Sequence, residues 1–332
     1  MSDNLDKSQD KVVETTHETV PRGRRRPCAA HCKRFWWAHL IIFIIVVLVI
    51  ALPLIFVGYP NIAQRDVNRS TLNITKMEIT DPGPDSFHIK LAQVIGSKSK
   101  FHPTLDPFNA DVSLRGSSEP FLKLNVPAVK AVDGAASEID QDVTIPQGDA
   151  FTQYSLAVMK QETVEMIIYG KTKLKEGSLP KTTVTYNKTA SMKGLNGLKG
   201  FNVTTFKLVS PAESDGTNMR GNVFIPNPSV MSLTMGNLTL NLSVDGKSIG
   251  QSHMNDVVIR PGDNNIEMTS KIDQTQVIGF LSGQNAPYKN GILPVEIVGD
   301  SATYNGKELP YYSKALQSNK LHIDLNVGAV LF

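Results

Sequence analysis

From Phe35 to Tyr59 the chain places twenty-five residues without Asp, Glu, Lys or Arg, and past Tyr59 it changes to short alternating runs broken by Pro, Gly, Asn and Asp. The centre of the first stretch, Ala38 to Val57, is twenty residues long. At roughly 1.5 Å per residue it spans the ~30 Å hydrocarbon layer of a bilayer. The later runs alternate with the period of strands. They include Leu72–Ile74, Met77–Ile79, Phe87–Leu91, Asp111–Leu114, Phe121–Val126, Val223–Ile225, Asn237–Val244, Val257–Ile259 and Leu321–Val327. Two stretches, Thr152–Met166 and Asp273–Leu281, read as helices, each following a block of strands. The pattern predicts a mainly β protein with short helices behind one transmembrane helix.

Thirty-four residues precede the apolar run. That lead and the length of the run fit an uncleaved signal anchor better than a secretory signal, whose apolar region is ~7–15 residues. Arg22, Arg24, Arg25, Arg26, Lys33 and Arg34 stand before the run with no acid among them. Such residues stay cytoplasmic, so they set a single-pass type II topology with the large C-terminal part lumenal or extracellular. Pro53 removes a helix hydrogen bond inside the run and predicts a kink. Trp36 and Trp37 at one end and Tyr59 at the other suit the two headgroup belts.

Charge divides along the same line. Residues 1–37 hold eight Lys/Arg and five Asp/Glu, and the rest holds 26 of each, so the net charge of +3 lies on the cytoplasmic side. A neutral external part lacks the basic stripe that a phosphate backbone requires, which argues against nucleic acid as a partner. The basic tail favours the lipid bilayer, at about 1 kcal/mol per residue near anionic lipid. Residues 1–34 carry too few apolar side chains to fold and read as a disordered tail. Cys28 and Cys32 both lie in that tail, as Cys28-Ala-Ala-His31-Cys32, so the external part folds without disulfides. S-acylation, metal ligation and inert thiols are the alternatives for the pair. Asn68, Asn73, Asn187, Asn202, Asn237 and Asn241 are N-glycosylation candidates, and all follow the apolar run. Asn227 is excluded because Pro228 follows it.

Thr75–Pro82 aligns with Thr204–Pro211 at an offset of 129, and the strand bearing Val112 and Leu114 meets Leu240 and Leu242 at nearly that offset. Leu179-Pro180 ahead of a polar run is likewise matched with Leu293-Pro294. The division expected is therefore a tail (1–34), a membrane helix (35–59) and two fibronectin- or immunoglobulin-like β-sandwich domains (62–198 and 199–332). The stretch Val223–Ser229, the turn Val244–Gly250 and Ile259–Gly262 resemble the late-embryogenesis-abundant group-two domain, also called the water-stress and hypersensitive-response domain. Asp81-Pro82-Gly83-Pro84, Thr104–Pro107 and Phe108 are similar in the first copy, which lacks the Asn227-Pro228 dipeptide. In tandem behind a basic tail and one helix, the copies resemble fungal single-pass proteins of the endomembrane system and vacuole. That resemblance implies a fibronectin-like sandwich, no established enzymatic activity and a vacuolar membrane, with the plasma membrane as the alternative.

Several motifs carry potential chemistry. Gly246-Lys-Ser248-Ile-Gly250 has the spacing of a nucleophile elbow, with Asp256 or Asp263 and His322 in order behind it. Strands flank it, however, and Asp245-Gly246 reads as a hairpin turn. Glu138, Asp140 and Asp142 alternate and would share one strand face, as a solvated face, a weak Ca²⁺ site or the metal-binding pair of a glycosyltransferase. The Gly194–Gly200 stretch has neither a dinucleotide nor a P-loop spacing and reads as the linker between copies. The seven histidines show no metalloprotease spacing, so no catalytic residue, metal ligand or cofactor is assigned. Three functions remain. One is a non-enzymatic module binding a lipid or a protein partner near the membrane, with Val164–Ile168 and Gln276–Leu281 as candidate groove or core. The second is a type II glycan-processing or hydrolytic enzyme. The third is a structural or signalling protein acting through its tail.

Overall fold

The computed structural model describes residues 28–146 and 148–331, with side chains described for residues 35–329 apart from 147. The tail positions Arg22, Arg24, Arg25 and Arg26 lie outside the described residues. The chain divides into two compact units, residues 1–54 and 55–332. In the first, α1 (Cys28–Pro53) carries Cys28, Cys32, Lys33 and Arg34 on its opening turns and is interrupted at Phe35 (φ −121°, ψ 22°). Helical residues run from Phe35 to Arg69, long and apolar enough to cross a membrane. Pro53 is followed by a π-helical turn at Leu54–Gly58. A proline without its N–H forces such local rewinding.

The second unit opens with α2 (Tyr59–Arg69) and β1 (Thr71–Thr80), β2 (Ser86–Gly96), β3 (Thr104–Leu105), β4 (Phe108–Leu114), β5 (Pro120–Val126), β6 (Val129–Lys130) and β7 (Ala135–Thr144). Then come α3 (Ala150–Lys160), β8 (Thr163–Lys175), β9 (Thr182–Lys193) and a 3₁₀ turn at Asn196–Leu198. The second half holds β10 (Asn202–Leu208), β11 (Met219–Asn227), β12 (Met231–Val244), β13 (Lys247–Ile259), β14 (Gly262–Ile272) and α4 (Gln274–Leu281). It closes with β15 (Ile292–Tyr304), β16 (Lys307–Glu308), α5 (Pro310–Gln317), β17 (Lys320–Asn326) and α6 (Gly328–Leu331). Every strand expected from alternation lies in a strand. The protein is mainly β, with the strands gathered into two sheets.

One pairing scheme occurs twice. The antiparallel pairs β1–β2, β2–β7, β4–β5, β4–β8 and β8–β9 recur as β10–β11, β11–β14, β12–β13, β12–β15 and β15–β17. Helices α3 and α4 take the same place in each half. Ala110 opposes Gly170 as Leu240 opposes Gly299. These registers equate Val112 with Leu242, two residues from the match that the sequence offset suggests. Leu293-Pro294 lies in β15, the counterpart of β8, so its expected match to the segment before β9 is one strand out. The halves join where Met77–Ile79 of β1 runs parallel to Met231–Leu233 of β12.

Three helices differ from expectation. The first predicted helix stops at Lys160, because Gln161 is extended (φ −87°, ψ 148°). Val164, Met166 and Ile168 then alternate into the core from β8. Alternation, not helical spacing, governs that run. Helices α2 and α5 stand where the sequence pattern assigns no element. The Gly194–Gly200 linker does join the halves, but as a locked turn. Asn196, Gly197 and Leu198 all have positive φ, and a Cβ at Gly194 would meet the Gln161 carbonyl at 2.3 Å.

Candidate functional site

In the second half, seven strands and α4 enclose an apolar cavity of about 70 Å³. Phe206 and Leu208 of β10, Leu325 of β17 and Leu293 and Val295 of β15 line it. Val277 and Ile278 of α4 close one side, and Gln274 is the polar group of the lining. Helix α4 forms here because the Asp273 carboxylate accepts the Gln276 N–H at 3.1 Å, capping its N-terminus. Val277, Phe280 and Leu281 turn inward while Ile278 is 47% exposed. The following loop is held by the Tyr288 hydroxyl, which donates to the Asp245 carboxylate at 2.8 Å. That bond raises the Tyr288 pKa. Lys247 lies over the Phe280 ring at 5.8 Å from its centre.

The equivalent space in the first half is filled. Phe87, Phe121, Phe151 and Tyr154 pack with Tyr311, and the Phe121 and Tyr154 rings stack at 4.2 Å. The space left there is about 20 Å³, and another of about 20 Å³ lies where α3 meets β12 and α5. The Tyr154 hydroxyl reaches only the sulfurs of Met77 and Met231, each at 3.8 Å, and burial raises its pKa. By the volume that one water needs, ~10–15 Å³, the second-half cavity takes roughly five groups of water or methylene size.

The sheet edges differ too. In the first half α2 covers β9. The Gln64 side chain accepts the Thr185 N–H at 2.7 Å and donates to the Thr185 carbonyl at 2.9 Å, bonding as a strand would. Lys188 is buried and donates to the Val67 and Ser70 carbonyls at the C-terminus of α2. A cation there offsets carbonyls that the helix leaves unpaired. Burial pushes the Lys188 pKa down to about 8. Ser99 adds a bond to Asp66 at 2.7 Å. Sequence reading missed this dock, whose apolar signal is only Ala63 and Val67, four residues apart. In the second half β17 occupies the place of β9, and no helix covers its free edge among the described residues.

The other sequence candidates scatter. Asp245 and Gly246 have φ of 50° and 74°, the mirror-image turn that an Asp-Gly hairpin demands. Ser248 follows on β13, exposed, without the strand-to-helix elbow, while His322 lies on β17 beside Glu296 at 3.3 Å. Glu138, Asp140 and Asp142 do share one exposed face of β7. Asp140 and Asp142 are taken up by bases: His88 bridges them at 2.8 and 2.7 Å, and Lys90 meets Asp140 at 3.1 Å. The Asp142 hydrogen bond raises the His88 pKa, and the Lys90 hydrogen bond lowers that of Asp140. No group of three metal-binding side chains occurs among the described residues. The six sequon asparagines are all exposed: Asn68 on α2, Asn73 on β1, Asn187 on β9, Asn202 on β10, and Asn237 and Asn241 on β12. Val164–Ile168 belongs to the core, and Gln276–Leu281 supplies both core and cavity wall.

The profile of one family, described as "Protein of unknown function (DUF3712)", matches residues 119–242. No curated protein matches the chain. Among solved structures, a bacterial adhesin from Mobiluncus mulieris is 9% identical over 75% of this chain and 84% of its own, with a TM-score of 0.19. The CupB6 tip adhesin from Pseudomonas aeruginosa is 9% identical over 72% of this chain and 96% of its own, with a TM-score of 0.17. The exo-chitosanase CsxA from Amycolatopsis orientalis is 13% identical over 76% of this chain and 26% of its own, with a TM-score of 0.18. Likeness at that level carries no argument about activity.

Proposed function

We propose that this chain is a membrane-anchored, non-enzymatic binding module whose second half holds the apolar end of a lipid between β10 and β17, beneath α4. The cavity carries the reading: it is apolar-walled, and it occurs in the half whose interior lacks the aromatic filling. A space for roughly five methylene-sized groups takes the end of an acyl chain, with the remainder leaving past the exposed Ile278. The apolar helix Phe35–Arg69 supports placement at a lipid bilayer. The basic residues before it support a cytoplasmic N-terminus, and the exposed sequons support a lumenal or extracellular glycoprotein. The resemblance to the late-embryogenesis-abundant group-two domain supports the endomembrane system, with the vacuolar membrane favoured.

Residues 59–332, which keep α2, are to be secreted from a eukaryotic host and analysed by native and then extracting mass spectrometry. A stoichiometric acyl lipid, lost in Val277→Phe, is expected. An empty folded protein, or a lipid indifferent to Val277→Phe, contradicts the reading. The enzyme reading requires an activity lost in Asp140→Ala or Ser248→Ala, and the tail reading a phenotype lost on deleting residues 1–33.

A further inference from the structure

Strand β17 is held on one side by seven register pairs with β15, from Ile292 opposite Asn326 to Val298 opposite Lys320. Its other side has no backbone partner among the described residues, and none of its seven residues is buried. Among the described residues the strand has no proline, bulge or covering helix to protect its free edge, and its protection there is the charge of Lys320 and Asp324. Its counterpart β9 has such a cover in α2, with Gln64 bonded to the Thr185 backbone.

The register shows which groups the free edge offers. Asp324 opposes Pro294, which has no N–H, so that pair is of the non-hydrogen-bonded kind. Asp324 and His322 therefore direct their N–H and C=O groups away from β15. The strand reads Lys320-Leu-His-Ile323-Asp-Leu-Asn326, which is self-complementary about Ile323 when reversed. Reversal sets His322 opposite Asp324, Leu321 opposite Leu325, Lys320 opposite Asn326 and Ile323 opposite itself. The outward backbone groups of His322 and Asp324 then meet as hydrogen-bonded pairs. Opposite charges and matched aliphatic side chains both favour such cross-strand neighbours.

We propose that β17 pairs antiparallel with β17 of a second copy of this chain, about a two-fold axis through Ile323, to extend the sheet across the dimer. Leu325 of β17 also lines the apolar cavity, so the two proposals share this strand, but the pairing uses backbone groups of His322 and Asp324 that point away from β15 and needs no ligand. A two-fold contact is closed, so it yields dimers rather than fibres.

The full chain in detergent tests it, with Cys28→Ser and Cys32→Ser removing its native thiols. Ile323→Cys, oxidised with copper phenanthroline, is expected to link two copies, because the two Cβ atoms would lie about 4.5–5.5 Å apart. Leu321→Cys, which faces Leu325, is expected to link far less. His322→Asp sets like charges opposite each other twice and should weaken the dimer about tenfold. Adding Asp324→His to it restores the opposite-charge pairs and should recover most of that loss. If His322→Asp fails to fold, the Ile323→Cys crosslink and the doubly exchanged chain decide. A chain that stays monomeric in sedimentation at tens of micromolar overturns the proposal. So does a dimer that neither crosslinks at residue 323 nor responds to the charge exchange.

Discussion

Beneath α3, the first half packs Phe87, Phe121, Phe151 and Tyr154 into a filled aromatic core, and α2 seals its edge strand β9. Beneath α4, the second half leaves an aliphatic cavity, and its edge strand β17 is uncovered. Five strand pairings recur in both, while β13 pairs with β14 only in the second half. Under the proposed function the same backbone scheme serves as a scaffold in one half and as a receptor in the other, with side-chain volume and edge cover making the difference. Burying aromatic rings brings both area and ring-to-ring contact, so the first half is where stability should be concentrated.

The largest break in this comparison comes from emptying the filled half. Phe151→Ala is expected to destabilise the chain by about 3–5 kcal/mol. Val277→Phe, which adds volume beside the second-half cavity, should cost less, at most about 1–3 kcal/mol. Urea unfolding of both variants compares the two interiors directly, and equal losses would erase the distinction.

The edge dock comes next. Gln64→Ala removes two hydrogen bonds to Thr185 and should cost about 1–3 kcal/mol. Lys188 gives this dock a pH signature. Its folded pKa is about 8, below its ordinary 10.5, so between those values the unfolded chain binds the extra proton. Stability from this group therefore rises from pH 8 towards pH 10 and falls away as pH drops through 8. Urea midpoints at pH 7.5 and 9.5 should show that rise in the natural chain and not in Lys188→Met.

The smallest effect is at the β2–β7 clasp. His88 titrates above its ordinary 6.5 because Asp142 and Asp140 hold its charged form. The clasp contributes fully below pH 6.5 and is lost as pH rises through the raised pKa. An NMR titration of the His88 ring should move down in Asp142→Asn. No downward movement would detach the shift from that contact.

Much of the frame was legible in the sequence. Alternation located β1, β2, β4, β5, β11, β12, β13 and β17, and Asp245-Gly246 located its hairpin because only a few residue types accept positive φ at both positions. The stretch Asp273–Leu281 located α4, which the Asp273 side chain caps. Helix α5 had a signal that passed unread: Pro310 at its start, then Tyr311, Tyr312, Ala315 and Leu316 at helical spacing. The α2 dock left little to read, since Gln64 and Lys188 act on backbone groups more than a hundred residues away. Of the cavity only the α4 wall was legible, through the candidate groove Gln276–Leu281. Its volume depends on side chains converging from seven strands and a helix, and no local pattern encodes their fit.

One measurement bears most directly on the division between scaffold and receptor. Both tryptophans, Trp36 and Trp37, lie in the apolar N-terminal helix, so residues 59–332 contain none and a single introduced tryptophan reports alone. Phe206→Trp borders the cavity, and Phe121→Trp replaces a ring of the filled core. Titration with a brominated fatty acid is expected to quench Trp fluorescence saturably in Phe206→Trp and to leave Phe121→Trp unchanged. Equal quenching of the two, or none in either, would contradict the assignment of the second half as the ligand-binding half.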